Sequence, residues 1–273
     1  MIYLDNNATT KIDNKVFHLQ CAVLNKFYGN PSSLYPFGTE VKNMLSKARK
    51  QVADLVNADL VSGDKIIFTG CATESNNAVL HSALYPDIKG RHVIISAAEH
   101  PSILNTAEYY KKMGCRVTRI GVDENGVVNA QQLLNSVSSD TVLVSITMVN
   151  SETGVIQDIK NLAEQVHNIR ADIIFHTDAV QAAGKIPINV KELDVDFLTL
   201  SGHKFNAPKG IGALYVRKNI SFVPFLYGGM QEEGFRAGTE NTASIVAMGA
   251  AAELAKDRLE SQEIPRIQRL RDK

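Results

Sequence analysis

Short runs of apolar and β-branched residues alternate along the chain with longer stretches in which apolar residues recur at helical spacing. The short runs are nearly continuous in apolar residues, which is typical of strands that are buried on both faces of a sheet. These runs predict strands over residues 65–69, 92–96, 141–147, 172–177, 197–201 and 213–216.

The stretches between these runs have the length and spacing of helices. They predict helices over residues 38–56, 73–84, 101–113, 130–136, 159–168 and 243–273. Strand and helix in alternation predict an α/β fold with a mainly parallel sheet that has helices on both faces. A Gly- and Pro-rich loop, rather than a helix, joins the runs 197–201 and 213–216, so we expect antiparallel pairing at one edge of the sheet.

Charge and cysteine content exclude several classes of protein. Lys plus Arg is 29 and Asp plus Glu is 29, so no net positive field exists to bind nucleic acid or an anionic membrane. The cysteines Cys21, Cys71 and Cys115 form no CxxC pair, and we expect no metal site and interpret all three as small packing residues. The chain shows no signal peptide and no apolar stretch long enough to span a bilayer, which predicts a cytoplasmic protein.

Small and polar residues follow the first two predicted strands, at the edge of the sheet where parallel α/β folds bind ligands. Residues 70–75, Gly-Cys-Ala-Thr-Glu-Ser, form either a phosphate-binding turn at a helix start or an ordinary turn with Thr73 as the N-cap. His100 is placed either to contact a bound ring or simply to precede the helix that Pro101 begins. The polar segment 150–154 follows the third predicted strand, 141–147, and either binds a ligand or shapes a turn.

Charged residues that are costly to bury follow the fourth and fifth predicted strands, 172–177 and 197–201. Asp178 follows a buried strand and acts either as the partner of a cation or as a helix N-cap. Lys204 follows the next strand, where an amine of lowered pKa is suited to forming a Schiff base, whereas Lys209 fits a lysine that reaches solvent. Pyridoxal 5′-phosphate accounts for the amine, the acid, the phosphate-binding turn and the histidine together, and is the cofactor that the sequence predicts.

Nine segments resemble one known family, the cysteine desulfurases of the class V aminotransferase group, which are fold-type I pyridoxal-phosphate enzymes. The resemblance extends from Tyr3 to about Asn241. Its segments are residues 3–10, 29–33, 72–77, 99–102, 150–154, 176–181, 201–204, 208–212 and 228–239.

The resemblance implies roles for the residues that hold the ring and perform the chemistry. Lys204 would bind the cofactor aldehyde, and His100 would stack on the ring and move protons. Asp178 would pair with the ring nitrogen, and Gln181 would bind the ring hydroxyl. Ser151 stands where the family usually has an asparagine that contacts the same hydroxyl.

It also implies the groups that bind the phosphate and the substrate. Ala72, Thr73, Ser201 and His203 would bind the phosphate, and Thr239 would reach the phosphate of the partner subunit. These enzymes act as homodimers, so both sites would be completed by the partner. For the substrate, the resemblance points to Asn30, which would lie near it.

The reaction implied is removal of sulfur from L-cysteine to give L-alanine and an enzyme persulfide, for iron–sulfur cluster assembly or tRNA thiolation. A sulfur-acceptor or scaffold protein would be a further partner. The resemblance assigns residues 1–14 to the small domain, residues 15–258 to the cofactor-binding large domain, and residues 259–273 to the start of the C-terminal small domain.

The remainder of that domain, with the catalytic cysteine, is expected to be absent from this sequence. None of the three cysteines matches the catalytic position, so we expect little turnover from residues 1–273 by themselves. Two alternatives stay open: another class V activity, such as selenocysteine lyase or aminotransferase, and an inactive relative that serves as a binding partner.

Overall fold

A seven-stranded sheet forms the centre of the computed structural model, which describes residues 2–261 and 263–272. The sheet order is β1-β7-β6-β5-β4-β2-β3. The strands are β1 (Lys65–Thr69), β2 (His92–Ser96), β3 (Arg116–Ile120), β4 (Thr141–Ser145), β5 (Ile174–Asp178), β6 (Phe197–Ser201) and β7 (Gly212–Val216).

Most of the sheet is parallel, as the sequence predicts. Strands β3, β2, β4, β5 and β6 pair in parallel, whereas β7 is antiparallel to both of its neighbours, β6 and β1. The reversed strand therefore lies one place inside the edge rather than at the edge itself. The parallel strands direct their carboxyl ends to one side of the sheet, which is where ligands bind in such folds.

Helices cover the sheet. They are α1 (Asn14–Lys26), α2 (Pro36–Val56), α3 (Ala72–Leu84), α4 (Pro101–Lys112), α5 (Ala130–Ser136), α6 (Ile159–Ile169), α7 (Val190–Leu193), α8 (Thr242–Glu260) and α9 (Glu263–Arg271). The helices that the sequence predicts agree with these bounds to within a few residues, apart from the last.

The single helix predicted over 243–273 is wrong, because the structure has α8 and α9 separated at Ser261. Pro265 explains the break. In a continuous helix Pro265 would have no N–H to donate to the carbonyl of Ser261, four residues earlier, and its ring would clash with that carbonyl. Met1, Gln262 and Lys273 lie outside the described residues. The domain limits given above stay a prediction.

Three elements are absent from the sequence prediction: α1, α7 and β3. Helix α7 has only 4 residues, which is too short to show a helical pattern. Helix α1 buries only Val16 and Val23, so its apolar face is too narrow to give a clear helical pattern. Strand β3 is an edge strand in which only Ile120 is buried. Charged residues therefore interrupt it, and it lacks the continuous apolar run of the central strands.

Helix α8 packs closely against α2 and α1, and small residues make this approach possible. A Cβ atom on Gly249 would lie 2.5 Å from the Cα atom of Ala48 and 2.7 Å from its Cβ atom. Contacts this short require the two helix backbones to separate. Within the described residues no helix is long and apolar enough to span a membrane, and no cluster of His, Cys, Asp and Glu has the arrangement of a metal site.

The contact between α8 and α2 generates a stability prediction. Replacing glycine by alanine inside a helix normally stabilises it by up to about 1 kcal/mol. We expect Gly249→Ala instead to destabilise the fold by about 1–3 kcal/mol, because the added methyl group overpacks the interface with Ala48. Urea unfolding of the wild type and the variant measures this difference, and a variant that is equally stable or more stable would contradict it.

Candidate active site

A cavity of about 580 Å³ opens at the carboxyl ends of the parallel strands. Its size suits a small-molecule ligand. It brings together most of the site residues that the sequence predicts. The cavity is lined by Ala72, Thr73, His100, Ser151, Asp178, Gln181, Ser201, His203 and Lys204.

Two predicted site residues do not line this cavity within the single chain. The side chain of Asn30 is exposed and accepts a hydrogen bond from the backbone N–H of Ser32 at 2.9 Å. Thr239 is exposed in the loop that precedes α8. Their predicted roles toward substrate and partner subunit stay predictions.

Asp178 ends β5 and is buried at the floor of the cavity, with 5 % of its surface exposed. Its Oδ2 atom accepts a hydrogen bond from Asn76 Nδ2 at 2.8 Å, and its Oδ1 atom accepts one from the N–H of Val180 at 3.0 Å. Burial raises the pKa of Asp178, while these donors and the positive charges of His100 and Lys204 act in the opposite direction. The site therefore holds a buried acid that needs a cation in the cavity to be fully ionised.

Lys204 follows β6 in a short 3-10 turn that points its amine into the same cavity. Its Nζ donates hydrogen bonds to the backbone oxygens of Asn7 and Ala8, the latter at 3.0 Å. Burial lowers the pKa of Lys204, and the charges of Asp178 and Asp5 partly offset this effect. A lowered pKa increases the neutral, nucleophilic fraction of the amine.

His100 precedes α4 and also lines the cavity, and its contact with a bound ring stays a prediction. It is the N-cap of α4, where its Nδ1 atom accepts a hydrogen bond from the N–H of Ser102 at 3.1 Å, and it also lines the cavity. The hydroxyl of Ser102 lies 2.7 Å from the same nitrogen and accepts from Asn76 Nδ2 at 2.8 Å. Because Nδ1 is an acceptor, the proton of the neutral ring is on Nε2. Asn76 and Ser102 thus connect Asp178 with His100.

The turn after β1 has the features of an anion-binding site. Helix α3 begins at Ala72, and its N-cap residue, Cys71, makes no side-chain capping bond. The N–H groups of the first turn therefore have no side-chain cap. They lie at the end of the helix that borders the cavity, where the helix dipole favours an anion. A Cβ atom on Gly212 of β7 would lie 2.7 Å from the carbonyl carbon of Cys71, so this glycine is needed for the turn to pack on the strand.

Ion pairs hold the acid of this helical turn away from the cavity. Glu74 accepts a hydrogen bond from the N–H of Gly70 at 2.8 Å and pairs with Arg236, whose Nε lies 2.9 Å from its Oε1. The Glu74 carboxylate is thus neutralised by the loop that contains Arg236. An anion bound at the N–H groups of the helix start would meet less repulsion from it.

The cysteines are placed differently from the sequence interpretation. Cys115 is buried, and burial raises the pKa of its thiol to about 11. Cys21 and Cys71 are exposed, so their interpretation as buried packing residues is wrong. Cys71 is exposed because it caps α3 at the wall of the cavity, and Cys21 lies on α1, of which only Val16 and Val23 are buried.

Several residues of the site were missed by sequence reasoning, and most lie outside the strand ends. The backbone of Asn7 crosses the cavity and accepts a hydrogen bond from Gln181 Nε2 at 3.0 Å, in addition to its bond from Lys204. Thr10 donates to the backbone oxygen of His203 from both its N–H and its hydroxyl, each at 2.9 Å. No periodic pattern marks this N-terminal segment, and only its match to the family indicated a role.

Glu99 is a further buried acid that sequence reasoning left unassigned. Its Oε1 atom accepts hydrogen bonds from Ser96 Oγ at 2.9 Å and from the N–H of Thr147 at 2.5 Å, whereas Oε2 has no partner among the described residues. Burial raises the pKa of Glu99 to about 8, and the charge of Asp178 acts in the same direction. At neutral pH Glu99 is therefore mainly protonated and adds little negative charge near Asp178.

Comparison with known proteins was made by family model, by sequence and by structure. The family model described as Aminotransferase class-V matches residues 2–272. Cysteine desulfurase 2 of Trichormus variabilis is 46 % identical over 273 residues, which is 100 % of this chain and 67 % of that protein. Cysteine desulfurase NifS of Azotobacter vinelandii is 42 % identical over 272 residues, which is 100 % of this chain and 66 % of that protein.

Solved structures give the same result for the fold. A structure titled "NIFS-LIKE PROTEIN" superposes with a TM-score of 0.90 at 38 % identity. The match covers 95 % of this chain and 70 % of the chain in that structure. The structure titled "SspA in complex with cysteine" has a TM-score of 0.87 at 36 % identity, with coverage of 93 % and 72 %. The chain thus spans about two thirds of the length of the relatives by sequence and somewhat more of the structures.

The protonation of Glu99 predicts how stability changes with pH. The pKa of Glu99 in the folded state, about 8, lies above the ordinary value of 4.5, so ionisation costs folding free energy as pH rises from about 4.5 to 8. Glutamine cannot ionise. We expect Glu99→Gln to gain stability relative to the wild type between pH 5 and pH 9, on the order of a few kcal/mol. Thermal unfolding at both pH values measures the change.

A matched control separates this effect from a general loss of charge. Glu152 is exposed and lines the same cavity, so we expect Glu152→Gln to differ from the wild type by a similar amount at both pH values. A Glu99→Gln variant whose difference from the wild type is the same at pH 5 and pH 9 would show that Glu99 is not protonated in the folded protein.

Proposed function

The chain belongs to the aminotransferase class-V family, among relatives that are cysteine desulfurases, and on this basis we propose that it binds pyridoxal 5′-phosphate in the described cavity and acts on L-cysteine. Enzymes of this family depend on that cofactor. The observation that carries the proposal is that the Lys204 amine and the buried carboxyl group of Asp178 line the same cavity.

The residues present fit the cofactor. Asp178 is a buried acid without a full counter-charge, the start of α3 offers uncapped N–H groups, and Gln181 directs a donor toward the cavity edge. Among the described residues the buried Oδ1 atom of Asn76 also lacks a hydrogen-bond partner. These donors, the free acceptor and the buried acid are groups that a phosphorylated pyridine with a ring hydroxyl would require.

When bound, pyridoxal phosphate supplies an aldehyde that captures amines and a ring that withdraws electrons from the carbon attached to the captured amine. Lys204 would hold this group covalently, and the lowered pKa of its amine favours the reactive neutral form. Asp178 would hold a proton-bearing ring nitrogen by charge and hydrogen bonding. The phosphate would be held by Ala72, Thr73, Ser201 and His203. A phosphate site at the start of a helix is a common arrangement in proteins.

Proton transfer in the site falls to Lys204 and His100. The orientation of the His100 ring is held by the bonds of Ser102 to Nδ1, so Nε2 is the nitrogen available to exchange a proton with the substrate. The hydrogen bonds from Asn76 to both Asp178 and Ser102 make the positions of acid and base depend on each other. A nucleophilic thiol must take the sulfur for alanine to be released.

We extend the proposal to the setting of the reaction. A homodimer is supported by large exposed apolar side chains, which a partner subunit would cover; they are Ile2, Leu4, Leu34, Tyr35, Leu226 and Met230. The names IscS and NifS among the relatives support a contribution to iron–sulfur cluster assembly. The cytoplasmic location, the sulfur acceptor or scaffold partner and the roles of Asn30, Ser151 and Thr239 stay predictions.

Covalent capture of the cofactor by Lys204 predicts a spectroscopic result. We expect the wild type mixed with pyridoxal phosphate to develop the visible absorption of a protein-bound imine, and Lys204→Ala to lack it, because alanine has no amine to capture the aldehyde. Lys209→Ala is the control, since Lys209 is an exposed lysine of the following loop. Visible absorption by the Lys204→Ala variant equal to that of the wild type would show that another amine binds the cofactor.

The substrate assignment predicts a chemical result. We expect the loaded wild type to convert L-cysteine slowly to alanine in the presence of an excess of added thiol. One thiol takes the sulfur as a persulfide, and a second thiol reduces this persulfide to sulfide and forms a disulfide with the first. The rate should be low, because none of the three cysteines matches the catalytic position of the family, so the added thiol must take the sulfur. Alanine and sulfide are measured in parallel with Lys204→Ala as the blank. Production of pyruvate from alanine and a keto acid, without sulfide from cysteine, would instead identify an aminotransferase.

A further inference from the structure

Lys185 is a half-buried lysine to which the proposed chemistry gives no role. It lies in the turn that follows β5, and its Nζ donates a hydrogen bond to the Oε1 atom of Gln181 at 2.6 Å. Burial lowers the pKa of Lys185 to about 8, and the positive charge of Lys204 lowers it further, with no acid among the causes. Burial of an amine without an acidic partner costs folding free energy, so we ask what its contact with Gln181 does for the site.

The contact determines which way the Gln181 amide faces. An ammonium group can donate hydrogen bonds but cannot accept them, so the amide atom beside Lys185 must be the oxygen. The amide nitrogen is then directed to the other side, where Nε2 donates to the backbone oxygen of Asn7 at 3.0 Å at the edge of the cavity. A rotated amide would place its oxygen against the oxygen of Asn7 and its N–H groups against the ammonium group.

The same Asn7 oxygen also accepts a hydrogen bond from Lys204 Nζ. Lys185, Gln181, Asn7 and Lys204 therefore form one connected chain of polar contacts. Lys185 and the backbone oxygen of Asn7 require the same orientation of the amide, because an ammonium group can only donate and a carbonyl oxygen can only accept. The Asn7 oxygen is shared with Lys204, so Lys185 is the contact that serves the Gln181 amide alone.

We propose that Lys185 is a positioning residue that fixes the Gln181 amide with its N–H groups toward the cavity, where they serve an oxygen substituent on the bound ring. This proposal rests on the proposed function for the identity of the ligand, but the fixed orientation of the amide is a property of the protein without any ligand. Lys185 acts through Gln181 and does not itself line the cavity.

Two variants of Lys185 separate orientation from packing. Lys185→Met keeps an unbranched side chain of similar length but removes the donor, whereas Lys185→Arg restores a group that can only donate. Lys209→Met is the control, because it removes the same charge from an exposed position. Thermal unfolding of each variant shows whether the fold is retained.

The first measurement needs no cofactor. We expect the side-chain amide of Gln181 in the wild type to give a distinct, slowly exchanging pair of NMR signals, assigned by their loss in Gln181→Leu. Lys185→Met should broaden these signals or shift them to the values of a solvated amide, and Lys185→Arg should restore them. Unchanged signals in Lys185→Met would overturn the proposal, whether or not the protein binds pyridoxal phosphate.

The second measurement is the affinity for pyridoxal phosphate, followed by visible absorption. We expect Lys185→Met to bind roughly five- to tenfold more weakly, because one hydrogen bond to the ring substituent is lost when the amide can rotate. Lys185→Arg and Lys209→Met should bind like the wild type. Equal affinity of Lys185→Met and wild type would contradict the role toward the ring.

The two measurements distinguish failure of this inference from failure of the proposed function. If the wild type binds no pyridoxal phosphate, the proposed function fails and the NMR result alone decides the orientation of the amide. If Lys185→Met does not fold, Lys185→Gln replaces it, because a glutamine bonds equally to either end of the Gln181 amide and removes the preference. A well-folded Lys185→Gln with wild-type amide signals would then refute the proposal.

Discussion

The burial of the Asp178 carboxyl group is the constraint on which the rest of the site depends. A carboxylate with 5 % of its surface exposed is stable only with donors and positive charge around it. The amide of Asn76 and the N–H of Val180 supply donors, and Lys204 supplies positive charge in the same cavity. The site is thus organised around a place for a cation beside Asp178.

The sheet topology brings these groups together from distant parts of the sequence. The parallel order of β2, β4, β5 and β6 places the carboxyl ends of these strands side by side. Strand β7 is reversed and contributes differently, because Gly212 allows the turn after β1 to pack against it. The start of α3 is thereby held at the same cavity as Lys204.

The sequence was sufficient for the parts of the site that follow buried strands. Asp178 and Lys204 were identifiable because the strands before them are continuous apolar runs, and His100 because it follows such a run and precedes Pro101. Asn76 and Lys185 were not identifiable, since each is a polar residue in a helix or turn that looks like any solvated position. Glu99 was missed for a different reason: only the three-dimensional packing shows that its carboxyl group is buried beside Asp178.

The N-terminal segment gives Lys204 two opposing influences, and their balance bears on how the amine reacts. Burial and loss of hydration favour the neutral form, whereas the backbone oxygens of Asn7 and Ala8 accept hydrogen bonds that favour the ammonium form. A nitrogen that is double-bonded to an aldehyde carbon keeps at most one N–H, so at least one of these two bonds must be given up when Lys204 captures an aldehyde. A segment that forms no part of the sheet therefore helps to set the reactivity of a residue that the sheet positions.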